Sequence, residues 1–420
     1  MEPHIALTLN PSPALVPVSF VQGAKTLMTS VMIAVDQNQN QTGRVMSTLH
    51  QLYQHLRTYL KDVTEWAHPQ HVNTMAALMT AIYNSRDVRL SRIAENAPIE
   101  GKEESVVQRF RRWLKHPKIE VHKLYVPVLK NIMAHVSARV EVIRLQMDRV
   151  RIGNRFNVLM VSVGYAGRAL PLTWLTIDHS GNSNAAQRRE VLTYVAQFIP
   201  PHHPVRVLAD REFGDVATMR LIEQDLEWDY VLRLKKNQRV YIPGSGFPIT
   251  WHDLGDLVPE NRDAVKLLQR VKYTQSELYP TNIVLTQPPE GTNQGKPDPW
   301  MVATSLPAEP TVIDEYAERF GCEPLFSDLK SRGFDWEKTR LRHADRLSRL
   351  VLVLAFLTTW MVLLGDTLVT SGIAATYWQP SHIDRYSLFQ LGRRWLRKQL
   401  TLHGPPKIAF EIPFWQFVPN

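Results

Sequence analysis

Between Thr42 and Lys130 apolar residues recur every three or four positions, the spacing that lays a single stripe along an α-helix. Leu49, Leu52, Tyr53, Leu56 and Leu60 form one stripe, and Met75, Leu78, Met79 and Ile82 a second; a third helical segment is predicted over Arg86 to Asn96. Ser105 with Gln108 three residues on has the form of a capping box, and it opens a helix carrying Val106, Val107, Phe110, Trp113 and Leu114. Near Val140 the pattern becomes strand-like. Val142 to Met147 reads as a strand ending at Asp148, Phe156 to Val163 as a second and Leu170 to Ile177 as a third, with Gly164 and Gly167 in the turn between the last two. There follow a helix over Ala185 to Phe198, a proline break from Pro200 to Pro204, and a short strand from Val205 to Ala209 ending at Asp210. A helix over Asp215 to Gln224 and a strand over Tyr230 to Leu234 come next.

Three hairpin-linked strands followed by strand, helix and strand predict an α/β (mixed α+β) fold, a mixed sheet with helices on its faces, in the order of ribonuclease H-like nucleases. Residues 235–299 carry Gly/Pro-rich turns and short β-type runs, Val265 to Val271 and Asn282 to Leu285, and read as a β-rich insertion before the core resumes at Trp300 to Ser305. The expected organisation is a loosely ordered lead-in over 1–40, a helical DNA-binding domain over 41–135, a catalytic domain over 136–370 and a C-terminal helical or dimerisation segment over 371–420. A chain of 420 residues has length enough for such a division.

Charge narrows the partners. Lys and Arg number 49 against 40 Asp and Glu, a net charge of +9, which favours a polyanion such as nucleic acid over an acidic or neutral partner. The single cysteine, Cys322, rules out an internal disulfide framework and a Cys-rich zinc site, so a reducing compartment, the cytoplasm, is expected. The first thirty residues lack the pattern of an export signal. The uncharged stretch Leu350 to Gly365, at 16 residues, falls short of a bilayer span and is expected to be a buried core helix with no membrane role.

Cutting a phosphodiester without a covalent intermediate requires an activated water and stabilisation of the charge that develops on phosphorus. Two magnesium ions ~3.5–4 Å apart meet both needs, and magnesium takes carboxylate oxygens on rigid elements. Asp148 and Asp210 each close an apolar strand, where side chains emerge at the carboxyl edge of a sheet. Strand-end aspartates also serve as turn or cap residues, and position alone leaves both readings open.

The run YAERFGCEPLFSDLK adds a third carboxylate: Tyr316, Arg319, Glu323 and Lys330 stand two, three and six intervening residues apart. This resembles the Tyr-Arg-Glu-Lys signature of DDE transposases of the insertion-sequence-four family, which includes the Tn-five type enzymes. WMVATS upstream, LADREFGD at the second aspartate and SRGFDWEKTRLRHADRLSRL downstream extend the resemblance from about Val140 to the C-terminus.

The resemblance implies that Asp148, Asp210 and Glu323 are the catalytic ligands of two Mg2+ ions, for which Mn2+ may substitute. It implies that Tyr316, Arg319 and Lys330 hold transposon-end phosphates, Arg319 by a planar fork and Lys330 as a point charge. Trp300 stands where relatives have a tryptophan that stacks on a flipped base. Cut-and-paste transposition by a homodimer bridging two double-stranded terminal inverted repeats, which are then joined to target DNA, is the implied activity. The sequence departs from a regular helix here: Gly321 and Cys322 weaken it, and Pro324 should bend or restart it beside Glu323.

Basic residues outside the signature have two readings, DNA contact or solvated surface. Arg109, Arg111, Arg112 and Lys115 share one helix, and Lys338, Arg340, Arg342, Arg346 and Arg349 follow the signature. Arg393, Arg394, Arg397 and Lys398 interleave with Leu391, Trp395 and Leu396, which suits a dimer contact, a DNA contact or plain surface. Two other functions fit the same core: a ribonuclease H-like nuclease without strand transfer, and a catalytically silent, transposase-derived DNA-binding protein.

Overall fold

The computed structural model describes residues 48–244, 250–288 and 298–402. The expected lead-in over 1–40 and residues 403–420 of the C-terminal segment lie outside the described residues.

The apolar stripes become helices. In α1 (Thr48–Val63) Leu52, Tyr53, Leu56 and Leu60 are buried along one face. Helix α2 (Pro69–Ser85) begins with proline at a position where no helical hydrogen bond is lost, and it ends at Arg86, whose φ of 54° lies in the left-handed region. That stop shortens the predicted third helix to α3 (Leu90–Glu95). Helix α4 (Glu103–Lys115) starts two residues before Ser105 and has no side-chain cap, so the expected capping box is absent there. A capping box forms instead at Asn184 and Gln187, opening α6 (Ala185–Ala196) after α5 (Val121–Ser137).

The sheet begins with β1 (Ile143–Ile152), β2 (Phe156–Tyr165) and β3 (Arg168–Ile177), an antiparallel meander. Its second turn is made by Ala166 and Gly167, both at positive φ, whereas Gly164 lies within β2. Strands β4 (Val205–Ala209) and β5 (Asp229–Arg233) add in parallel to β1, with the short helix α7 (Val216–Arg220) between them.

The described residues within 235–299 fold into four strands. Their strands β6 (Arg239–Tyr241), β7 (Trp251–Asp253), β8 (Val265–Tyr273) and β9 (Tyr279–Thr286) join β10 (Trp300–Thr304) and extend the same ten-stranded sheet in the order β3-β2-β1-β4-β5-β10-β9-β8-β6-β7.

The two faces of the sheet bury different partners. Val207, Ala209, Leu232, Met301 and Ala303 belong to one large core that also takes in α1, α2, α4 and α5, with no break near residue 135. Leu208, Val231, Val284, Trp300 and Val302, of opposite parity along their strands, form a smaller core with Val312 and Tyr316 of α8 (Thr311–Ala317). Next come α9 (Cys322–Leu329) and α10 (Ala344–Thr370).

Helix α10 is 27 residues long, so by length and composition it could cross a membrane, contrary to the 16-residue reading. Burial decides its place: 89% of its apolar window is inside the protein. Tyr125 of α5 donates to Pro171 O of β3 at 2.9 Å and meets Thr359 of α10 at 3.1 Å, tying the three layers together. After α11 (Ile373–Tyr377) and α12 (Pro380–Ile383), α13 (Leu388–Leu402) crosses α10 at two glycines. A Cβ on Gly365 would lie 1.9 Å from Leu388 O, and one on Gly392 2.1 Å from Met361 O, so only glycine permits this approach.

Candidate functional site

Strand β1 has two chemically different sides. Ile143, Leu145 and Met147 are fully buried, while the alternating Arg144, Gln146 and Asp148 face the segment of α8 and α9. Three rungs dock that segment. The Arg144 guanidinium donates to both oxygens of Glu315 at 2.9 and 2.7 Å, and Arg206 of β4 reaches the same carboxylate at 2.7 Å. Gln146 Nε2 donates to Glu318 O at 2.7 Å. Arg319 Nη1 donates to Asp148 Oδ2 at 3.2 Å.

Asp148 lies inside β1 rather than at its end, because the hairpin with β2 continues to Ile152. What ends beside it is the parallel ladder: Met147 pairs with Ala209, so Asp148 and Asp210 are the next residues on adjoining strands and share one face. Burial pushes the Asp148 carboxyl above the ordinary carboxylate range. Arg319, the Arg149 amide and the Cys322 thiol pull it back, and the charge of Asp210 adds to the rise. Cys322 Sγ donates to Asp148 Oδ2 at 3.2 Å; its thiol is pushed up by burial first and by Asp148 second, which suits a packed donor rather than a nucleophile.

The signature run is broken as its glycine and proline suggest. Helix α8 gives way to a tight 3-10 turn over Glu318–Gly321, and α9 begins at Cys322 with Pro324 in its first turn, where a missing N–H costs little. Gly321 has a packing reason as well: a Cβ there would sit 2.9 Å from Gln146 Nε2 and 3.2 Å from Arg168 O. The break places Glu323 on the first turn of α9, with Oε1 3.5 Å from Arg319 Nη2 and a side chain 60% exposed.

Arg319 therefore bridges Asp148 and Glu323. Its side chain is 7% exposed and lies 4.7 Å from the Phe320 ring centroid. Burial works against its charge, but Tyr316, Asp148, Cys322 and Asp210 outweigh that and hold its pKa above the ordinary arginine range. Tyr316 is fully buried, its hydroxyl beside the guanidinium without a well-aligned hydrogen bond. Trp300 is 2% exposed, edge-on to Tyr316 at 5.0 Å and stacked on Phe320 at 5.5 Å. In this arrangement, Tyr316, Arg319 and Trp300 are interior groups, whereas the phosphate-holding and base-stacking roles expected of them need an open face. Lys330 remains accessible at the end of α9, 3.1 Å from Glu337.

The donors gathered at this edge, Asp148, Asp210 and Glu323, are all hard carboxylate oxygens of the type magnesium prefers. Among the described residues no three His, Cys, Asp or Glu side chains stand close enough to enclose an ion. A divalent cation fits the chemistry of the donor set, and the Glu323 side chain is open to solvent.

LADREFGD contributes more than its first aspartate. Glu212 accepts from Arg149 Nε at 2.7 Å and from the Ser183 amide at 3.2 Å, and Asp215 caps α7 through the Thr218 amide at 3.0 Å. A Cβ on Gly214 would meet Arg233 O at 2.4 Å. Sequence reasoning missed Arg144, Gln146, Arg206 and Glu315; the period-two polar alternation in IRLQMD was the available signal.

The basic helices divide. Arg109 is half-buried and donates to Thr74 Oγ1 at 3.2 Å, while Arg111 and Arg112 are exposed. Arg111 shares a cleft of about 690 Å³ with Arg89, Arg92, Arg340, Arg342 and Arg346. Lys338 is exposed and pairs with Asp335. Arg349 is an interior strut rather than a surface cation, donating to Leu114 O at 2.9 Å and Ile119 O at 3.2 Å at the end of α4.

No curated protein sequence matches this chain. It is similar to a piggyBac transposase whose synaptic complex with hairpin DNA was solved by cryo-electron microscopy, at a TM-score of 0.38 and 10% identity over 90% of this chain and 86% of that one. The profile described as "Transposase DDE domain" matches residues 148–360, half of the chain, beginning at Asp148 and spanning Asp210, the signature run and most of α10. By that match, which covers half of its residues, this chain belongs to the transposase DDE-domain family.

Proposed function

We propose that this protein is the transposase of a bacterial insertion sequence, built on a ribonuclease H-like core and resembling the insertion-sequence-four, Tn-five type enzymes. It would bind double-stranded terminal inverted repeats in the cytoplasm beside the nucleoid, cut them, and join the freed ends to target DNA. The observation that carries this reading is the placement of Asp148 and Asp210 side by side where the parallel ladder ends, with Glu323 within reach through Arg319.

Asp148, Asp210 and Glu323 would hold two Mg2+ ions, with Mn2+ a substitute. Bound there, the metal supplies Lewis acidity at phosphorus and a nucleophilic oxygen at neutral pH. The chain's own residues do the rest. Arg319 positions Asp148 and neutralises the buried carboxylate until the donor set closes. Buried Tyr316 and Trp300 support the Arg319 side, and Lys330, from the accessible end of α9, meets a phosphate flanking the scissile bond. Arg111, Arg112, Arg342 and Lys338 contact the DNA backbone away from the cut. A homodimer would let one subunit bind an end that the other cuts.

Asp148→Ala, Asp210→Ala and Glu323→Ala are each expected to abolish cleavage of a labelled end in magnesium while end binding persists. Near wild-type cleavage by any of the three removes that residue from the site. A strand-transfer assay with precut ends separates a transposase, which joins them to target DNA, from a nuclease, which does not.

A further inference from the structure

Helix α13 carries a cationic face that the site around Asp148 does not use. Arg393, Arg394, Arg397 and Lys398, with Arg86 from the left-handed end of α2 and Trp378, line an open cleft of about 610 Å³. Its lining contains no carboxylate. Among the described residues none of these five cations makes an ion pair, whereas Arg144, Arg149, Arg168, Arg206 and Arg319 each do.

Other groups hold them. Arg394 lies 4.0 Å over the Tyr386 ring and donates to its hydroxyl at 3.0 Å. Lys398 sits 4.8 Å over Tyr377, and Arg86 donates to Arg332 O at 3.2 Å. Aromatic faces and carbonyls orient a cation without cancelling its charge. Arg393 is half-buried, with Nε lacking a partner, and burial together with Arg86, Arg394 and Arg397 lowers its pKa below the ordinary arginine range.

Complementing the helix dipole does not explain the cluster, because the last turn of α13 contains no basic residue. The support beneath it is rigid, since Gly392 seats α13 directly on Met361 O and Tyr83 Oη donates to Arg393 O at 3.2 Å. Arg393 to Lys398 spans about 7.5 Å of helix axis. A duplex carries a negative charge about every 1.7 Å of its own axis, so several phosphates fall within that reach.

From this geometry we propose that the Arg86–α13 cleft is a second DNA-backbone site, holding duplex phosphates without reading sequence. The proposal rests on the DNA-processing reading given above, and its test separates the two. Full-length protein is titrated with a duplex of arbitrary sequence, about 30 base pairs long, across about 50 to 200 mM salt. The triple variant Arg86→Ala, Arg397→Ala, Lys398→Ala removes exposed side chains that carry no core packing.

Its slope of log affinity against log salt should flatten by about 2.7 units, roughly 0.9 for each lost contact. The charge-keeping variant Arg86→Lys, Arg397→Lys, Lys398→Arg should retain the slope. An unchanged slope in the alanine variant, with wild-type protein binding the duplex and cutting element ends, overturns this inference alone. Failure of the wild-type protein to bind any duplex overturns the DNA-processing reading and this one together. An unchanged slope accompanied by loss of a dimer in sedimentation makes the face a contact between two copies and overturns the proposal.

Discussion

Arg319 and Arg397 carry the same charge in opposite surroundings. Arg319 is 7% exposed and bridges two carboxylates; Arg397 is exposed on α13 and has no ionic partner among the described residues. Around the first, each arginine meets a carboxylate: Arg144 and Arg206 share Glu315, Arg149 meets Glu212 and Arg168 meets Asp328. Around the second, five cations converge and are steadied by Tyr377, Tyr386 and a carbonyl. Balanced arginines set a geometry, because breaking a buried pair leaves a charge without compensation. Unbalanced ones on a rigid helix keep their full charge for a partner outside the chain. The same contrast explains why Arg109 and Arg349, bonded to Thr74 and to backbone carbonyls, are poorer DNA candidates than Arg111 and Arg342.

The largest expected effect breaks the balanced side. Arg319→Ala should lower single-turnover cleavage by about a hundredfold, the scale of misplacing a reacting group by about 1 Å. Magnesium affinity measured by calorimetry should tighten, because a cation beside Asp148 has been removed. Arg319→Lys should rescue cleavage poorly, since an ammonium cannot span both carboxylates as the fork does. Wild-type cleavage with unchanged metal affinity in Arg319→Ala would leave it a mere packing residue.

A smaller effect tests the support of the unbalanced side. Gly392→Ala forces a methyl towards Met361 O and should cost about 2.5 kcal/mol of stability, within the range for overpacking. Denaturant melts give the value. A loss no larger than that of Arg397→Ala would mean that α13 is not seated as closely as described.

The smallest is a pH effect at Glu315. Burial alone would raise its pKa, but Arg144 and Arg206 outweigh burial and hold the carboxyl below its ordinary value. A depressed folded pKa contributes stability that is present above the unfolded value, near 4.3, and lost as pH falls through the folded one. Glu315→Gln should therefore cost about 2 kcal/mol at pH 7, as for hydrogen bonds to a charged group, and the gap to wild type should close in acid. A gap independent of pH would assign the loss to packing instead.

Much of this molecule follows from local pattern. Helical stripes placed α1, α2 and α4, a long uncharged run placed α10, strand-like runs placed β1 to β5, and Gly321 with Pro324 marked the break that starts α9. The acidic residues at two strand positions and the signature spacing were legible too, because each depends only on neighbours along the chain. What the sequence left open is what depends on register between distant segments. Arg319 and Asp148 stand 171 positions apart and meet only because Gln146 and Leu208 are paired in adjoining strands and turn the same face to α8. The same sheet register joins β6 to β9 to β10 in one sheet, and burial, not length, keeps α10 inside the protein. Periodicity tells each strand which of its sides is polar; only the assembled sheet decides which arginine finds a carboxylate there and which, like those on α13, is left without one.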